Sequence, residues 1–126
     1  MDKFVFGQIT AYQEIPMIVA QNFGLKEKNV QAALQERKQK GSVSIEQDIE
    51  LSHVELSGLR VQGIMWLPTY HKKYLVMVVD TQNPSINLVI FLKAILNEEG
   101  LNKLRLIHSQ KQLDQLVEGT LQYVSR

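Results

Sequence analysis

Carboxylates in strand-like segments are the residues of this sequence whose chemistry comes closest to that of an enzyme. Asp48, Glu50 and Asp80 lie in or at the end of such segments, and carboxylates on adjacent strands can hold a divalent cation that activates water. No histidine pairs with another histidine or with a carboxylate at i+3 or i+4 of a predicted helix; the three are His53, His71 and His108. The chain has no cysteine, which excludes thiolate catalysis and cysteine-ligated metals. We therefore predict no catalytic residue, no metal site and no cofactor.

A second set of side chains, between residues 26 and 40, has the chemistry to contact nucleic acid. Amides can pair with adenine edges in the major groove, and amines can bind phosphate or guanine. The candidates are Lys26, Lys28, Asn29, Gln31 and Gln35, followed by Arg37, Lys38 and Lys40 as contacts to the phosphate backbone. A net charge of +1 favours no polyanion by itself, so this hypothesis depends on where the cations lie.

The loop at residues 70–74 mixes cations with aromatic rings, a composition suited to phosphate contact and base stacking. Lys72 and Lys73 would contact DNA if this loop lay beside the cationic segment. The alternative is an exposed hairpin tip with solubilising lysines. Both alternatives require a hairpin between two apolar strands.

Two helices must position the cationic segment. Apolar residues recur at helical spacing from about Ile15 to Phe23, with Pro16 in the first turn, where proline is tolerated. A second helix from about Lys26 ends near Gly41, after a cationic last turn. The sequence thus predicts a helix pair at the N-terminus.

The spacing within this pair resembles the helix-turn-helix motif of many bacterial and phage regulators. Ala20 gives the small residue at the helix crossing, and Gly24 gives the turn that needs a positive φ. Apolar residues follow on the inner face: Leu25, Val30, Ala33 and Leu34. The resemblance covers about residues 16–36 and implies that the outer face of the second helix enters the major groove. Glu27, which repels phosphate, and the small Ala33 depart from the motif.

After Gly41 the pattern changes from helical to alternating, which predicts strands. We expect strands over Val43–Leu56 with a bulge near His53, over Leu59–Leu67 and over Tyr74–Val79, the last two forming a hairpin. Asn83 and Pro84 predict the start of a helix that stops near Gly100. A strand over Lys103–His108 and a final helix capped by Ser109 and Gln112 would follow. The expected fold is α+β: one domain over 1–126, with a helical part (1–41) and a mixed sheet with two helices (42–126).

The leading functional prediction is a non-enzymatic regulator that binds double-stranded DNA as a homodimer, with which helix-turn-helix proteins commonly read two half-sites. The first alternative is a protein-interaction or inhibitor module without DNA affinity, whose partner binds the acidic strand at residues 44–56. The third is an enzyme similar to metal-dependent nucleases, although the usual acidic-x-Lys pair on a neighbouring strand is missing. No signal peptide or membrane span is predicted, so we expect a cytoplasmic location.

Overall fold

A mixed sheet runs through the centre of the molecule. The computed structural model describes residues 2–41 and 43–124. Within these ranges the strands are β1 (Asp2–Phe6), β2 (Ile49–Leu56), β3 (Gln62–Pro68) and β4 (Lys73–Asp80). They lie in the order β1-β3-β4-β2. Helices cover both faces of this sheet, so the predicted α+β class is confirmed.

The centre of the sheet is the predicted hairpin. β3 and β4 pair antiparallel, and each outer strand pairs parallel with its central neighbour. The close approach of β1 depends on Gly63, which lies opposite Lys3. A Cβ atom at Gly63 would stand 1.8 Å from the Lys3 carbonyl oxygen, so only glycine permits this pairing.

The predicted N-terminal helix pair covers one face of the sheet. It consists of α1 (Ile15–Phe23) and α2 (Glu27–Gln39). Gly24 joins them at a φ of 65°, in the left-handed region that favours glycine, and the Leu25 N–H donates to the Ala20 carbonyl at 3.0 Å. Buried apolar residues of both helices pack with inward side chains of β2 and β4; they include Val19, Phe23, Val30, Leu34, Val54 and Val76.

Three helices cover the opposite face: α3 (Ile86–Ile95), α4 (Glu98–Arg105) and α5 (Gln110–Val124). Their buried residues surround Trp66 and Leu75 of the hairpin; they include Leu88, Phe91, Ile95, Leu104, Leu113 and Val117. α3 is capped by Ser85 rather than by Asn83, because the Leu88 N–H donates to the Ser85 hydroxyl. None of the helices in the described part of the chain is long and apolar enough to cross a bilayer.

The strand predicted over Lys103–His108 is wrong, because residues 103–105 form the end of α4 and the rest of the segment is not a strand. Asn97 begins the helix by accepting a hydrogen bond from the Gly100 N–H at 2.8 Å. Buried apolar residues then recur at three-residue steps, which is a helical spacing; they are Leu101, Leu104 and Ile107. The C-terminal part therefore has three helices in place of two.

The strand predicted from Val43 begins only at Ile49. Residues 43–45 instead run back along its outer side, where the Leu51 N–H donates to the Val43 carbonyl at 2.8 Å and the Ile45 N–H to the Ile49 carbonyl at 3.0 Å. The bulge predicted near His53 is also wrong, because β2 keeps an unbroken register with β4. The alternation changes because β2 is buried on both faces: Ile49 and Leu51 pack with the C-terminal helices, whereas Val54 and Leu56 pack with the N-terminal pair.

Candidate functional site beside His53

α2 presents a polar face to solvent and an apolar face to the sheet. The side chains predicted to read bases are exposed on α2 or just before it: Lys26, Lys28, Asn29, Gln31 and Gln35. Val30, Ala33 and Leu34 are buried on the opposite face. Any helix packed against a sheet has this distribution, so the exposed amides and amines do not by themselves indicate a partner.

The cations at the end of α2 are engaged with groups of the same molecule. The Lys38 Nζ lies 3.9 Å from the centre of the Tyr12 ring and 3.9 Å from Oε2 of Glu50. The Lys40 Nζ lies 3.9 Å from Oε1 of Glu36. Lys38 thus fixes the last turn of α2 above the sheet, and Arg37, half-buried in the same turn, points to the neighbourhood of β2.

The loop lysines belong to a different cluster. The Lys72 N–H donates to the Thr69 hydroxyl within the hairpin turn, and the Lys73 Nζ lies 3.6 Å from Oδ2 of Asp48. Asp48 also accepts two hydrogen bonds from the Arg105 guanidinium, at 2.9 and 2.7 Å. These hydrogen bonds hold the pKa of Asp48 at about 2, below its ordinary value. Lys73 therefore helps to neutralise a carboxylate.

The strand carboxylates do not form a metal site. Asp48 precedes β2 while Asp80 ends β4, and because these strands are parallel the two residues lie at opposite ends of the sheet. Asp80 accepts hydrogen bonds from the backbone N–H groups of Leu59 and Gln82, which lower its pKa. In the ranges 2–41 and 43–124 no group of three potential ligands could hold a metal ion. The nuclease-like alternative has no site in this arrangement.

His53 lies half-buried on the outer strand β2 and lines a narrow cleft between this strand and the end of α2. We call it the His53 cleft; its polar walls are Tyr12, Arg37, Lys38, Ser52 and His53. The Nδ1 atom of His53 is buried and has no hydrogen-bond partner within the described residues. Because His53 is only half-buried, a part of its ring other than Nδ1 faces solvent.

Burial lowers the pKa of His53 below its ordinary value, because the cleft disfavours the charged imidazolium. The positive charge of Arg37 lowers this pKa further, and the opposing influences of Glu55 and the Leu51 backbone are smaller. The ring is therefore neutral at pH 7, with a lone pair on one nitrogen. A neutral imidazole beside a guanidinium combines a nucleophile with a group that binds anions.

Buried polar atoms without partners are concentrated beside the same cleft. Within the described ranges, Oγ of Ser52 and Nδ1 of His53 lack a hydrogen bond, as does Oε2 of Glu50, which has the Lys38 Nζ at 3.9 Å; the three residues lie within four consecutive positions of β2. The indole nitrogen of Trp66, on β3, is a further buried atom of this kind. Leaving such atoms unpaired costs free energy, on the order of 1–3 kcal/mol each. Native proteins seldom retain such atoms outside positions with a role, which marks this part of β2 as a functional candidate.

Sequence reasoning noted His53 only as one of three scattered histidines. The available signal was its position in a strand that follows the cationic end of a helix. The tertiary contact between α2 and β2 was not readable from spacing. It is this contact that brings Arg37 to His53.

Comparison with known proteins gives a likeness in fold. No protein-family model matches this sequence, and no curated protein matches it. The chain is similar in fold to the nitrogen regulatory protein IIA-Ntr from Neisseria meningitidis, with a TM-score of 0.65 and 12% sequence identity over 90% of this chain and 91% of that chain. At this identity the likeness concerns the fold.

The predicted DNA-binding function is wrong. The likeness to the nitrogen regulatory protein extends over nine-tenths of both chains, so the helix pair belongs to that fold and not to a helix-turn-helix protein. Ala20, Gly24 and Val30 have the spacing of the motif because the same small residue, turn and apolar contact are needed to pack α1 and α2 on the sheet.

Proposed function

We propose that this protein is a regulatory module that acts by binding other proteins. Its fold is similar to that of a nitrogen regulatory protein, and the observation that carries the proposal is the His53 cleft, where unpaired polar atoms of β2 lie beside the cations of α2. The exposed carboxylate of Glu55 and the half-buried ring of His53 adjoin this cleft and can contact a partner. We also propose a cytoplasmic location, with which a cysteine-free chain is compatible.

The acidic partner surface predicted over residues 44–56 is smaller than its sequence suggests. Glu46 and Asp48 pair with Arg105, and Glu50 is buried, which leaves Glu55 as its exposed carboxylate. Homodimer formation stays a prediction. The proposed partner surface therefore centres on the His53 cleft and Glu55 instead of on the whole segment.

Site-specific crosslinking tests this surface. A photoreactive phenylalanine in place of Glu55 is expected to give a discrete protein adduct in cells. The same photoreactive residue in place of Lys111, which is exposed on α5, is expected to give no adduct. The Arg37→Met substitution should reduce the Glu55 adduct, because it changes the cleft wall without touching the label. Equal adducts from both positions would contradict a defined surface, and a shift of duplex DNA at low salt would contradict the absence of DNA binding.

A second candidate function follows from the neutral imidazole: His53 accepts a phosphoryl group. Its pKa is lowered by burial and by Arg37, so the nucleophilic form is present at neutral pH. Guanidinium groups bind phosphoryl oxygens through charged hydrogen bonds. A phosphoryl group on the exposed side of the ring would change the charge of the partner surface.

In this reaction the Nε2 lone pair forms a bond to phosphorus. With phosphoramidate as the donor, the P–N bond breaks and its electron pair leaves on ammonia. The ring hydrogen remains on the buried Nδ1, so the phosphorylated ring is cationic and balances part of the phosphoryl charge. Arg37 stabilises the phosphoryl oxygens as charge builds on them.

Incubation with phosphoramidate tests this second function. We expect an acid-labile phosphohistidine detected by ³¹P NMR, lost in His53→Ala and kept in the matched variants His71→Ala and His108→Ala. Arg37→Met should slow labelling by about tenfold, the loss expected from one charged hydrogen bond. Labelling that survives in His53→Ala would refute His53 as the acceptor.

A further inference from the structure

The outer edge of β2 is paired over only half of its length. The backbone N–H and C=O groups of the even-numbered residues along β2 point toward β4. The carbonyls of Asp48 and Leu56 show this, because they accept hydrogen bonds from the N–H groups of Lys73 and Thr81. Odd-numbered residues therefore turn their backbone N–H and C=O groups outward. Ile49 and Leu51 bond to residues 43–46, whereas no backbone hydrogen bond of the outward groups of His53 and Glu55 is found within the described residues. We call these groups the open edge.

The opposite edge of the same sheet is closed. On β1, the Phe6 N–H donates to Oε1 of Gln110, and Nε2 of Gln110 donates to the Phe4 carbonyl, both at 2.7 Å. One side-chain amide thus takes the place of a neighbouring strand. Exposed strand edges are usually blocked in this or similar ways, so the unblocked half of β2 stands out.

Beside the open edge, two cations of α2 stand against one exposed carboxylate. Arg37 and Lys38 end the helix that packs against β2, and the Lys38 side chain is 45% exposed even though it approaches Glu50. Glu55 adds one carboxylate at the far end. An extended segment lying along the open edge would place alternate side chains toward these cations.

We propose that the open edge binds an extended acidic segment of a partner protein by strand addition. Four outward backbone groups, on His53 and Glu55, supply the hydrogen bonds, and Arg37 with Lys38 selects acidic side chains. This inference rests on the proposed interaction function and names the partner chemistry of the same site. Residues 43–45 already pair on this edge, which demonstrates that its geometry accepts a strand.

A synthetic peptide of alternating valine and glutamate is the probe, and its valine–lysine counterpart is the control. Amide hydrogen exchange of the whole protein is measured with and without each peptide. The acidic peptide is expected to slow exchange of the His53 and Glu55 N–H groups by at least about tenfold, because hydrogen bonds to the peptide oppose local opening. The lysine peptide should give no protection, and added salt should weaken the binding of the acidic one.

Glu55→Pro removes an outward N–H that no ladder bond uses, so β2 and β4 keep their pairing. We expect this substitution to weaken binding of the acidic peptide by about tenfold or more, because a donor is lost and the ring obstructs the edge. Glu55→Ala is the matched control, since it removes the same carboxylate but keeps the N–H, and it should bind at least as tightly as the natural chain.

The outcomes separate this inference from the proposed function. Binding of neither peptide, equal binding of both, or unchanged binding by Glu55→Pro would overturn strand addition. If the Glu55→Pro variant unfolds, amide exchange of the natural chain provides the test instead. Protection by the acidic peptide at residues other than 53–55 would then overturn strand addition. Crosslinking at Glu55 or phosphoryl transfer to His53 can succeed while these tests fail, and the proposed function would then stand without the open edge.

Discussion

The two outer strands of the sheet make the same kind of pairing but have different free edges. β1 and β2 each pair parallel with a strand of the central hairpin. β1 is sealed by the Gln110 amide, while β2 is covered by residues 43–45 along one half and left open along the other. The open half adjoins His53 and the cations of α2.

The sealed edge contributes to the stability of the fold, whereas the open edge is available for function. The sealed edge joins residues far apart in sequence, since Gln110 begins the last helix and Phe4 belongs to the first strand. It therefore stabilises the closure of the fold. The open edge gives up such hydrogen bonds and keeps polar atoms unpaired beside a neutral histidine. Unlike those buried atoms, the outward backbone groups of His53 and Glu55 lie at the sheet edge and are available to a partner.

The largest expected effect comes from Gly63→Ala, which attacks the pairing beneath the sealed edge. The added Cβ would lie 1.8 Å from the backbone oxygen of Lys3, so β1 must separate from β3. We expect a loss of about 3 kcal/mol in the free energy of unfolding, measured by urea denaturation.

Gly119→Ala is the control for that substitution. Nothing lies within 4 Å of a Cβ at Gly119, and alanine favours a helix by about 0.5–1 kcal/mol relative to glycine. This variant is expected to be more stable than the natural chain. If both substitutions had the same effect, the role of Gly63 in holding β1 would be refuted.

A smaller effect is expected at the covered half of β2, where Arg105 anchors the segment that contains Asp48. The pKa of Asp48 is lowered to about 2 from an ordinary 3.8. Its contribution to stability is therefore complete above about pH 4 and is lost as the pH falls toward 2. Because the pair is partly exposed, we expect about 1 kcal/mol or less.

Amide exchange of Leu51 under acid conditions measures this anchoring, because its N–H bonds to Val43. Protection should persist in the natural chain down to about pH 3 and then fall. Arg105→Met should lose protection at a higher pH, near the ordinary pKa of an aspartate. Identical acid profiles for the two chains would show that Arg105 does not hold this segment to the edge.

Much of the fold could be predicted because its signals are local. The helix pair follows from the spacing around Gly24, and the hairpin follows from two apolar segments with a polar turn. The strand prediction over Lys103–His108 failed because the spacing of Leu104, Leu106 and Ile107 fits both a strand and a helix. The N-cap at Asn97 favours the helix. Local competition between caps is difficult to rank from sequence alone.

The site could not be predicted because its parts meet only in three dimensions. Arg37 was selected for its charge and assigned to DNA, whereas packing of α2 on β2 brings it to His53. The motif-like spacing of Ala20, Gly24 and Val30 described how two helices pack, and this requirement is shared by folds with different functions. The parallel pairing that creates two unlike edges also joins segments distant in sequence.

The smallest expected effect comes from Gln110→Ala, which would make the two edges alike. Its side chain is exposed and makes two hydrogen bonds to β1, so water can replace them and the loss of stability should be about 0.5 kcal/mol. Amide exchange of Phe6 should nevertheless accelerate, since its N–H would lose its partner. The valine–glutamate peptide should still protect only β2, because the cation of β1, Lys3, is accompanied by Asp2 and donates to the Asn22 carbonyl at 2.8 Å. Protection of Phe6 by this peptide would show that an open edge alone suffices for binding and that Arg37 and Lys38 do not direct it.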